Sequence, residues 1–334
     1  METIKDLRVN LESKILSSKN IVIVPHTRKT NIDLDAIGSA IGISLITSKL
    51  QKPSSIVIEE SQMYKINNSV KNVIDAAKKN FNIIYKDKYI STRDEEDLFI
   101  LTDVNKLDLT WLEEIQQIDK ENIIIIDHHD IGATTIESNY SYINTEASSA
   151  CEIVTKLLSQ FKIKISPEVA NYLLAGIHLD TCRLTKHTTP DTFKIIAKLM
   201  ENGASNCVID NWFAEDFESD KRVLELISKA IIYKYSFAMV MAEEGCEYTR
   251  EELAKVADHL LKYGVDATFA IGNVDENLIS ISARSKERVN VGEIMKELGG
   301  GGNRYSAATK LTDTNIEEVG KRLIKLIEPP YIVK

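Results

Sequence analysis

Short apolar runs alternate with amphipathic segments along residues 1–202. The runs at 20–24, 55–58, 98–101 and 123–126 are rich in Ile, Val and Leu, as is typical of strands buried on both faces of a parallel sheet. Apolar positions three and four residues apart indicate helices at about 3–18, 36–50, 70–79, 148–160, 167–179 and 190–202. This alternation predicts an α/β domain with a mostly parallel sheet flanked by helices.

The pattern changes after residue 212. Residues 213–235 are highly charged but keep regularly spaced apolar positions, which suits a connecting helix. Beyond them, 236–242, 267–271 and 278–283 indicate strands, and 250–262, 291–298 and 315–327 indicate helices. We therefore predict a larger domain over 1–212, the connecting helix over 213–235 and a smaller α/β domain over 236–334.

Composition and charge narrow the class of protein. A length of 334 residues exceeds what one hydrophobic core usually organises. The net charge of -9 opposes binding to long duplex nucleic acid, which relies on basic surface. The apolar runs are too short to span a bilayer, and the N-terminal METIKDLRVNLESK has no apolar signal core. We therefore expect a cytoplasmic protein with no membrane partner.

The four cysteines do not form a recognisable site. Cys151, Cys182, Cys207 and Cys246 are widely separated, with no CxxC spacing, which argues against a zinc ribbon, a redox pair or a disulfide framework. We expect free thiols, most of them buried, since cysteine is among the most buried residue types.

Ionisable side chains recur where the predicted elements end. They are His26, Asp33, Asp35, Asp103, Asp127, His128, His129 and Asp180. Open α/β sheets usually place ligands at the carboxyl ends of their strands. Carboxylates and imidazoles from several chain segments are the donors that a pair of divalent metal ions requires.

Each of these residues also has a structural alternative. Asp33 or Asp35 can cap the following helix, and Asp103 can be a turn residue. Residues 127–129 can form a polar turn, and His178 is better explained as a packed helix residue than as a ligand. Asp180 closes an apolar helix, where an unpaired carboxylate costs free energy to bury and a metal would offset that cost.

The order of short motifs resembles that of the DHH phosphoesterases with a C-terminal DHHA1 domain. The motifs are DLDAIGSAIG at 33–42, LTDVN at 101–105, IDHHD at 126–130, ASSACEIV at 147–154, AGIHLDT at 175–181, ISARS at 281–285 and ELGGGGNRYSAAT at 297–309. In GVDATFAIG and SISARSKERVNVGEIMKELGGGG, the chain resembles in particular the catalytic region of membrane-tethered bacterial cyclic-di-AMP phosphodiesterases. We expect no membrane or sensory segments of the kind that those proteins carry upstream.

The resemblance implies a DHH domain followed by a DHHA1 domain, with a substrate cleft between them and two divalent metal ions, manganese by likeness. One metal would be held by His26, Asp33 and Asp103. The second would be held by Asp35, Asp103, His128 and Asp180, so that Asp103 is the bridge. His129 would face the substrate phosphate, and Asp127 would support the site. Paired cations of this kind activate water for hydrolysis, so no covalent nucleophile is needed. The resemblance also implies a homodimer formed through the first domain.

The second domain supplies further substrate-binding candidates under the same resemblance. The fork-shaped guanidinium of Arg284 suits a pair of phosphate oxygens, although an exposed strand arginine is the alternative. Gly300, Gly301 and Gly302 let the backbone approach a phosphate or base, although a glycine run is more often a flexible turn. In the first domain, Ser148 and Ser149 indicate a helix N-cap first and a substrate contact second.

Two positions depart from the family pattern. His26 and Asp33 lie seven positions apart instead of the usual four, which leaves the metal contact of His26 open, with Asn31 or water as the substitute ligand. The inserted Arg28 and Lys29 are either phosphate contacts or solvated loop charges. Asn303 stands where the family has histidine, and asparagine can donate a hydrogen bond but cannot act as an acid. We expect weaker or altered recognition of a terminal phosphate or base.

Three functions are compatible with the residues. The first is a metal-dependent phosphodiesterase acting on cyclic di-AMP, on the linear dinucleotide pApA, or on both. The second is a nanoRNase or 3′-phosphoadenosine 5′-phosphate phosphatase acting on very short oligonucleotides. The third is a nucleotide-binding protein with weakened catalysis, suggested by the longer loop after His26 and by Asn303.

Overall fold

The structure is a computed structural model that describes residues 3–26, 32–59, 68–112, 115–213, 217–233, 236–243, 245–275, 277–286 and 288–327. The chain divides into two compact units, Met1–Ala214 and Glu215–Lys334. Each unit has its own sheet and its own hydrophobic core. The prediction of a two-domain α/β fold is confirmed, while the exact domain limits drawn from the sequence stay predictions.

The first unit is built on a six-stranded sheet in which every pairing is parallel. Its strands are β1 (Ile21–Pro25), β2 (Ser54–Ile58), β3 (Ile83–Tyr85), β4 (Leu98–Thr102), β5 (Ile123–Asp127) and β6 (Tyr140–Ile143). They lie in the order β3-β2-β1-β4-β5-β6. The order places β1, β4 and β5 side by side in the middle of the sheet, so their carboxyl ends meet.

Helices surround this sheet. They are α1 (Ile4–Ser17), α2 (Leu34–Lys49), α3 (Asn68–Ala77), α4 (Lys86–Ile90), α5 (Ala150–Gln160), α6 (Pro167–Asp180), α7 (Pro190–Glu201) and α8 (Asn206–Asp210). Short 3-10 segments occur at Leu107–Leu109, Ile115–Gln117, Lys120–Asn122 and Asn211–Phe213.

The central strands are apolar on both faces, as their sequences indicate. Ile100 and Ile124 pack into the core shared with α1, α2, α5 and α6. Their neighbours Leu101 and Ile125 pack into a second cluster around Trp111. Successive residues of a strand point to opposite faces, so an uninterrupted Ile run can stand only where both faces are covered.

The second unit contains a mixed six-stranded sheet. Its strands are β7 (Ile231–Tyr233), β8 (Phe237–Met241), β9 (Ala267–Asp275), β10 (Leu278–Ser285), β11 (Gly301–Gly302) and β12 (Ser306–Leu311), in the order β11-β12-β10-β9-β8-β7. Only β8 and β9 pair in parallel. Its helices are α9 (Phe217–Ser228), α10 (Arg250–Leu260), α11 (Val291–Glu297) and α12 (Ile316–Ile327), with a 3-10 segment at Leu261–Tyr263.

Several local expectations need correction. The short strands β3, β6, β7, β11 and β12 were not predicted, because each is brief or only partly buried and lacks a long apolar run. The predicted connecting helix over 213–235 is too long, since α9 ends at Ser228 and β7 occupies Ile231–Tyr233. The cysteines are free, but only Cys151 is buried and the other three are exposed. The expectation of mostly buried thiols is therefore wrong. Among the described helices, none is both long and apolar enough to cross a bilayer.

Candidate metal centre

The candidate site forms where β1, β4 and β5 end. Pro25 pairs with Thr102, and Thr102 pairs with Ile126. The ladder continues for one more residue, since His26 N donates to Thr102 O at 3.2 Å and Asp103 N donates to Ile126 O at 3.0 Å. The side chains that directly follow the three strands are thereby brought to one edge of the sheet.

Asp103 occupies the middle of this edge in an uncommon backbone conformation. Its φ is 60°, in the left-handed region that few residues other than glycine, asparagine and aspartate enter. The side chain is 3% exposed, and its Oδ1 has no hydrogen-bond partner among the described residues. Strain of this kind clusters at functional sites.

Three groups of side chains place potential ligand atoms within 4.8 Å of one another. The groups are His26, Asp33 and Asp103; Asp35, Asp103, His128 and Asp180; and Asp103, Asp127, His128 and His129. Asp103 belongs to all three. The first two groups contain the same residues as the two ligand sets implied by the family resemblance, and the ligand roles themselves stay predictions.

The two histidines after β5 have different neighbours. His128 Nε2 lies 3.0 Å from Asp180 Oδ2 and 3.4 Å from Asp103 Oδ1. His129 is about half exposed, and its Nδ1 lies 2.9 Å from Asp127 Oδ1. His128 is thus turned toward the carboxylate cluster, while His129 is hydrogen-bonded to the buried carboxylate of Asp127 and lies 3.5 Å from Asp103 Oδ1.

Asp127 organises this turn. Its Oδ1 accepts hydrogen bonds from His128 N at 2.7 Å and from His129 N at 3.3 Å. The side chain is fully buried, and its Oδ2 has no partner in the part of the chain that the structure describes. The arrangement is compatible with the supporting role predicted for Asp127.

Asp33 and Asp35 approach the site from the start of α2. Asp33 is the N-cap, since its Oδ1 accepts from Asp35 N at 3.0 Å and Ala36 N at 2.9 Å. The side chain of Asp33 therefore both caps α2 and lies in one ligand group with His26. Helix capping and metal ligation, the two alternatives that the sequence left open for Asp33, do not exclude each other.

Asp35 is held by the first turn of another helix. Its Oδ2 accepts from Ala150 N at 2.7 Å and its Oδ1 accepts from Cys151 N at 2.9 Å, both at the start of α5. A Cβ on Gly176 would lie 2.7 Å from Asp35 Oδ1. Only a glycine lets α6 approach this carboxylate so closely, which explains the small residue in AGIHLDT.

Electrostatic repulsion is concentrated in the cluster. Burial, together with the charge of Asp35, raises the pKa of Asp103 well above its usual range and raises that of Asp180 to about 7. Burial also raises the pKa of Asp33 to about 6. Burial opposes a charge on His128, but contacts with Asp103 and Asp180 outweigh it and raise its pKa to about 11. In the protein alone, each of these four groups therefore keeps its proton to a higher pH than a free side chain of its kind.

These observations fit a metal centre. Asp103 Oδ1 and Asp127 Oδ2 are buried without hydrogen-bond partners among the described residues, and such groups are costly unless something binds them. Carboxylate oxygens with imidazole nitrogens suit a hard or borderline divalent cation. Among the described residues, the three groups combine five aspartates with three histidines, so a divalent ion would relieve the repulsion between the carboxylates.

A cavity of about 650 Å³ opens beside the cluster within the first unit. Its lining residues are His128, His129, Asp130, Thr145, Glu146, Ala147, Ser148, Asp180, His187, Thr188 and Thr189. Of these, sequence reasoning singled out only His128, His129, Ser148 and Asp180. The segments 145–147 and 187–189 were missed because the only signal they carry is that of polar loops before helix N-caps. Ser149 is the N-cap of α5, and its Oγ accepts from Glu152 N.

The remaining predicted substrate residues lie in the second unit. Arg284 is on β10, where its Nε lies 3.1 Å from Asp258 Oδ1 and its Nη1 donates to Ala283 O. A Cβ on Gly300 would lie 2.2 Å from Ala308 O, whereas one on Gly301 would meet open space. Close packing against β12 accounts for Gly300, and Gly301 keeps room for a ligand.

Asn303 forms a turn between β11 and β12. Its Oδ1 accepts from Tyr305 N at 2.9 Å and from Ser306 N at 2.8 Å. Gly302 before it has φ 143°, and an added Cβ would lie 2.4 Å from Ala307 Cα. The carboxamide oxygen of Asn303 is engaged in the turn, so its amide nitrogen is the group available to donate to a ligand.

The other sequence hypotheses have mixed outcomes. His178 lies on α6 and belongs to none of the three ligand groups found among the described residues. Burial lowers its pKa. Arg28, Lys29 and Asn31 lie outside the described residues. His26, the ligand placed in doubt by the longer loop, does lie with Asp33 and Asp103.

Comparison with known proteins supplies the family. The model of the DHH family, N-terminal domain, matches residues 20–177, and that of the DHHA1 domain matches residues 232–328. The chain is 32% identical over 329 residues to the cyclic-di-AMP phosphodiesterase GdpP of Bacillus subtilis (strain 168), covering 95% of this chain and 49% of the relative. It is 31% identical to a membrane protein-large ribosomal subunit bL9 fusion protein of Onion yellows phytoplasma (strain OY-M), covering 96% of this chain and 38% of the relative.

The chain therefore spans half or less of the length of these two relatives. A crystal structure of an exopolyphosphatase-related protein from Bacteroides fragilis shares the fold, with a TM-score of 0.72 at 21% identity, covering 97% of this chain and 96% of that one. The two domain models match in the order DHH then DHHA1, and the two relatives align with nearly the whole chain. The cluster of ionisable residues at the strand ends lies in the DHH domain. The chain belongs to the DHH family of phosphoesterases and carries a DHHA1 domain after its DHH domain.

Proposed function

We propose that this chain is a manganese-dependent phosphodiesterase that hydrolyses cyclic di-AMP, the linear dinucleotide pApA, or both. The observation that carries the proposal is the pair of ligand groups that share Asp103, one with His26 and Asp33 and the other with Asp35, His128 and Asp180. Similarity to a cyclic-di-AMP phosphodiesterase across 95% of the chain supports this substrate class. The cytoplasmic location and the homodimer expected from the sequence belong to the same proposal.

In this proposal the two ligand groups hold two divalent ions. When bound, such a pair lowers the pKa of a water molecule and offsets the negative charge that develops at phosphorus. His129, oriented by Asp127 at 2.9 Å, donates to a phosphate oxygen of the substrate. Arg284 and the backbone around Gly301 bind a second phosphate or a base in the DHHA1 domain.

The test compares three substrates on protein that is stripped of metal by a chelator and reloaded with Mn²⁺ or Mg²⁺. We expect cyclic di-AMP and pApA to be cleaved with Mn²⁺, with pApA or AMP as products separated by chromatography. Elemental analysis should find about two ions per chain, as a two-metal site requires. Cleavage of 3′-phosphoadenosine 5′-phosphate alone would favour the nanoRNase-type function, and nucleotide binding without turnover would favour a binding protein.

Asn303 allows a second test of substrate choice. Asn303→His restores a group that can carry charge, but it removes the Oδ1 that accepts from Tyr305 N and Ser306 N. We expect the substitution to lower KM for substrates with a terminal phosphate and to leave cyclic di-AMP, which has none, unchanged. An equal effect on both would contradict a role for residue 303 in terminal phosphate recognition.

A further inference from the structure

The cavity beside the metal-ligand groups has two wall segments that come from distant parts of the first unit. The first wall segment, 145–148, precedes α5, and the second wall segment, 187–189, precedes α7. They are about 40 residues apart in sequence. A nucleotide held in the cavity would contact both, so their relative position controls how well it fits.

One buried carboxylate joins the two segments. Glu152, on the first turn of α5, is 1% exposed. Its Oε2 accepts from Ser148 Oγ at 2.6 Å and from Ser148 N at 3.2 Å. The same oxygen accepts from Thr192 Oγ1 at 2.7 Å.

Thr192 transmits this contact to the second wall segment. While its hydroxyl donates to Glu152, the oxygen of that hydroxyl accepts from Thr189 N at 3.0 Å. Thr192 N in turn donates to Thr189 Oγ1 at 3.3 Å. Thr192 is fully buried, so water does not compete for these bonds.

The charge on Glu152 is well supported. Burial opposes it, but hydrogen bonds from Lys156, Ser148 and Thr192 outweigh burial and lower the pKa of Glu152. Lys156 Nζ lies 2.7 Å from Oε1, so each carboxylate oxygen has its own donors. A glutamine has only one acceptor oxygen, so it cannot accept both from Lys156 and from the donors at the Oε2 position.

We propose that Glu152 is a positioning residue for substrate: its Oε2 holds Ser148 and, through Thr192, Thr189 in one arrangement and so shapes the cavity that receives a nucleotide. Glu152 does not line the cavity itself. The inference rests on the proposed function, since it concerns nucleotide binding next to the same metal-ligand groups.

The kinetic test uses the Mn²⁺-loaded protein with pApA and with bis(4-nitrophenyl) phosphate, a small diester without a nucleoside. Hydrogen bonds to charged groups are the stronger class, so Glu152→Gln should raise KM for pApA about tenfold and change kcat less than about threefold. The aryl diester, which does not need the cavity walls, should react as with wild type. Equal effects on both substrates, or an unchanged KM for pApA, would overturn the proposal.

Glu252→Gln is the matched control. Glu252 is also buried on the first turn of a helix, with Thr249 N, Ser219 Oγ and Arg222 Nη2 as its donors, and it does not line the cavity. It should lose comparable stability in urea and keep the wild-type KM. The same rise in KM in both variants would mean that general destabilisation, not positioning, is responsible.

Thr192 gives a second route if Glu152→Gln does not fold. Thr192→Val removes the hydrogen bond that Thr192 Oγ1 donates to the Glu152 carboxylate and the one that it accepts from Thr189 N, and it should raise KM for pApA about threefold to tenfold. Thr192→Ser keeps the hydroxyl and should restore the wild-type value. No difference between the valine and serine variants would count against the proposal.

Amide hydrogen exchange on the Mn²⁺-loaded protein separates this inference from the proposed substrate. Glu152→Gln should speed exchange in both 144–149 and 187–189, Thr192→Val in 187–189 alone, and Glu252→Gln in neither. If wild type fails to cleave pApA but this pattern is observed, the substrate is wrong and the positioning role stands. If Glu152→Gln leaves either segment unchanged, the positioning role is refuted whatever the substrate.

Discussion

Glu152 and Glu252 occupy the same position in two helices, the third residue of the first turn, and both are buried. Each follows a hydroxyl residue in the pattern S/T-x-x-E, Ser149 for one and Thr249 for the other, which is the signature of a capping box. Each also has a cationic partner, Lys156 at 2.7 Å or Arg222 at 2.6 Å. Locally the two carboxylates look alike.

They differ in where the carboxylate points. Glu252 closes a reciprocal capping box, since its Oε2 accepts from Thr249 N while Thr249 Oγ1 accepts from Glu252 N. Glu152 reaches one residue further, to Ser148, and across the fold to Thr192. The same motif thus caps the start of one helix in the second unit, whereas in the first unit it connects the two wall segments of the cavity.

The largest expected effect comes from Asp103, whose Oδ1 is buried without a hydrogen-bond partner among the described residues. Asp103→Asn removes the residue common to all three ligand groups and should lower kcat more than about 100-fold, beyond the usual effect of outer partners of a metal site. The pKa of Asp103 is raised by burial, so folding disfavours its charge, and the metal-free variant should be at least as stable as wild type. Turnover and urea unfolding of metal-free protein measure the two effects; near-normal turnover would contradict the shared-ligand assignment.

The two glutamates should contribute similarly to stability. Glu152→Gln and Glu252→Gln each remove charged hydrogen bonds from a buried group, so each should lower the free energy of unfolding by about 1.5–3 kcal/mol. Urea denaturation at pH 7 of both variants and wild type measures the difference. A much larger loss for one of them would show that the two carboxylates are not energetically equivalent and would weaken the use of Glu252 as a control.

The pH dependence of the Glu252 contribution has a defined sign. Burial opposes its charge, but hydrogen bonds from Thr249 and Arg222 outweigh it and lower the pKa of Glu252 from 4.5. A carboxyl with a lowered folded-state pKa stabilises the fold above its unfolded pKa and loses that contribution as pH falls through the folded value. The stability gap between wild type and Glu252→Gln should therefore be constant from pH 7 to pH 5 and shrink below pH 4.5. A gap that widens in acid would refute this sign.

The smallest effects are expected from the cationic partners. Lys156→Gln and Arg222→Gln remove partly exposed side chains and should each change the free energy of unfolding by about 1 kcal/mol or less. Neither should alter KM for pApA, because the hydroxyl and backbone donors of each glutamate remain. If Lys156→Gln changes KM as much as Glu152→Gln does, then the ion pair between Lys156 and Glu152 Oε1, and not the hydrogen bonds to Oε2, positions the wall segments.

Much of the candidate metal centre follows from local sequence. The apolar runs before Asp103 and Asp127 indicate buried parallel strands, and adjacent parallel strands end at one edge. Residues that directly follow such strands are close neighbours when the strands are adjacent, as β4 and β5 are. Asp180 was recognised by a related argument, because a carboxylate at the end of an apolar helix needs a partner.

Other residues of the candidate site were beyond local sequence. His26 was placed in doubt by its longer distance from Asp33 in the chain, yet the fold brings it to Asp33 and Asp103. Thr188 and Thr189 line the cavity, but in the sequence they resemble any polar loop before a proline. The sequence indicated that Asn303 can donate a hydrogen bond, and only the structure showed that its carboxamide oxygen is engaged in a turn.

By itself, the sequence determined the α/β class with its longer apolar strands and most of its helices, the motif order that indicates the family, and the ionisable residues at strand ends. These features depend on periodicity and on neighbours along the chain. Only the tertiary structure decided what the two S/T-x-x-E motifs do. Glu152 meets Thr192 because α5 and α7 contact each other, so that a hydrogen bond joins residues 40 positions apart in sequence. Glu252 and its hydrogen-bond partners are not among the residues that line the cavity. A local pattern specifies a helix start, and long-range packing determines whether that start also shapes a site.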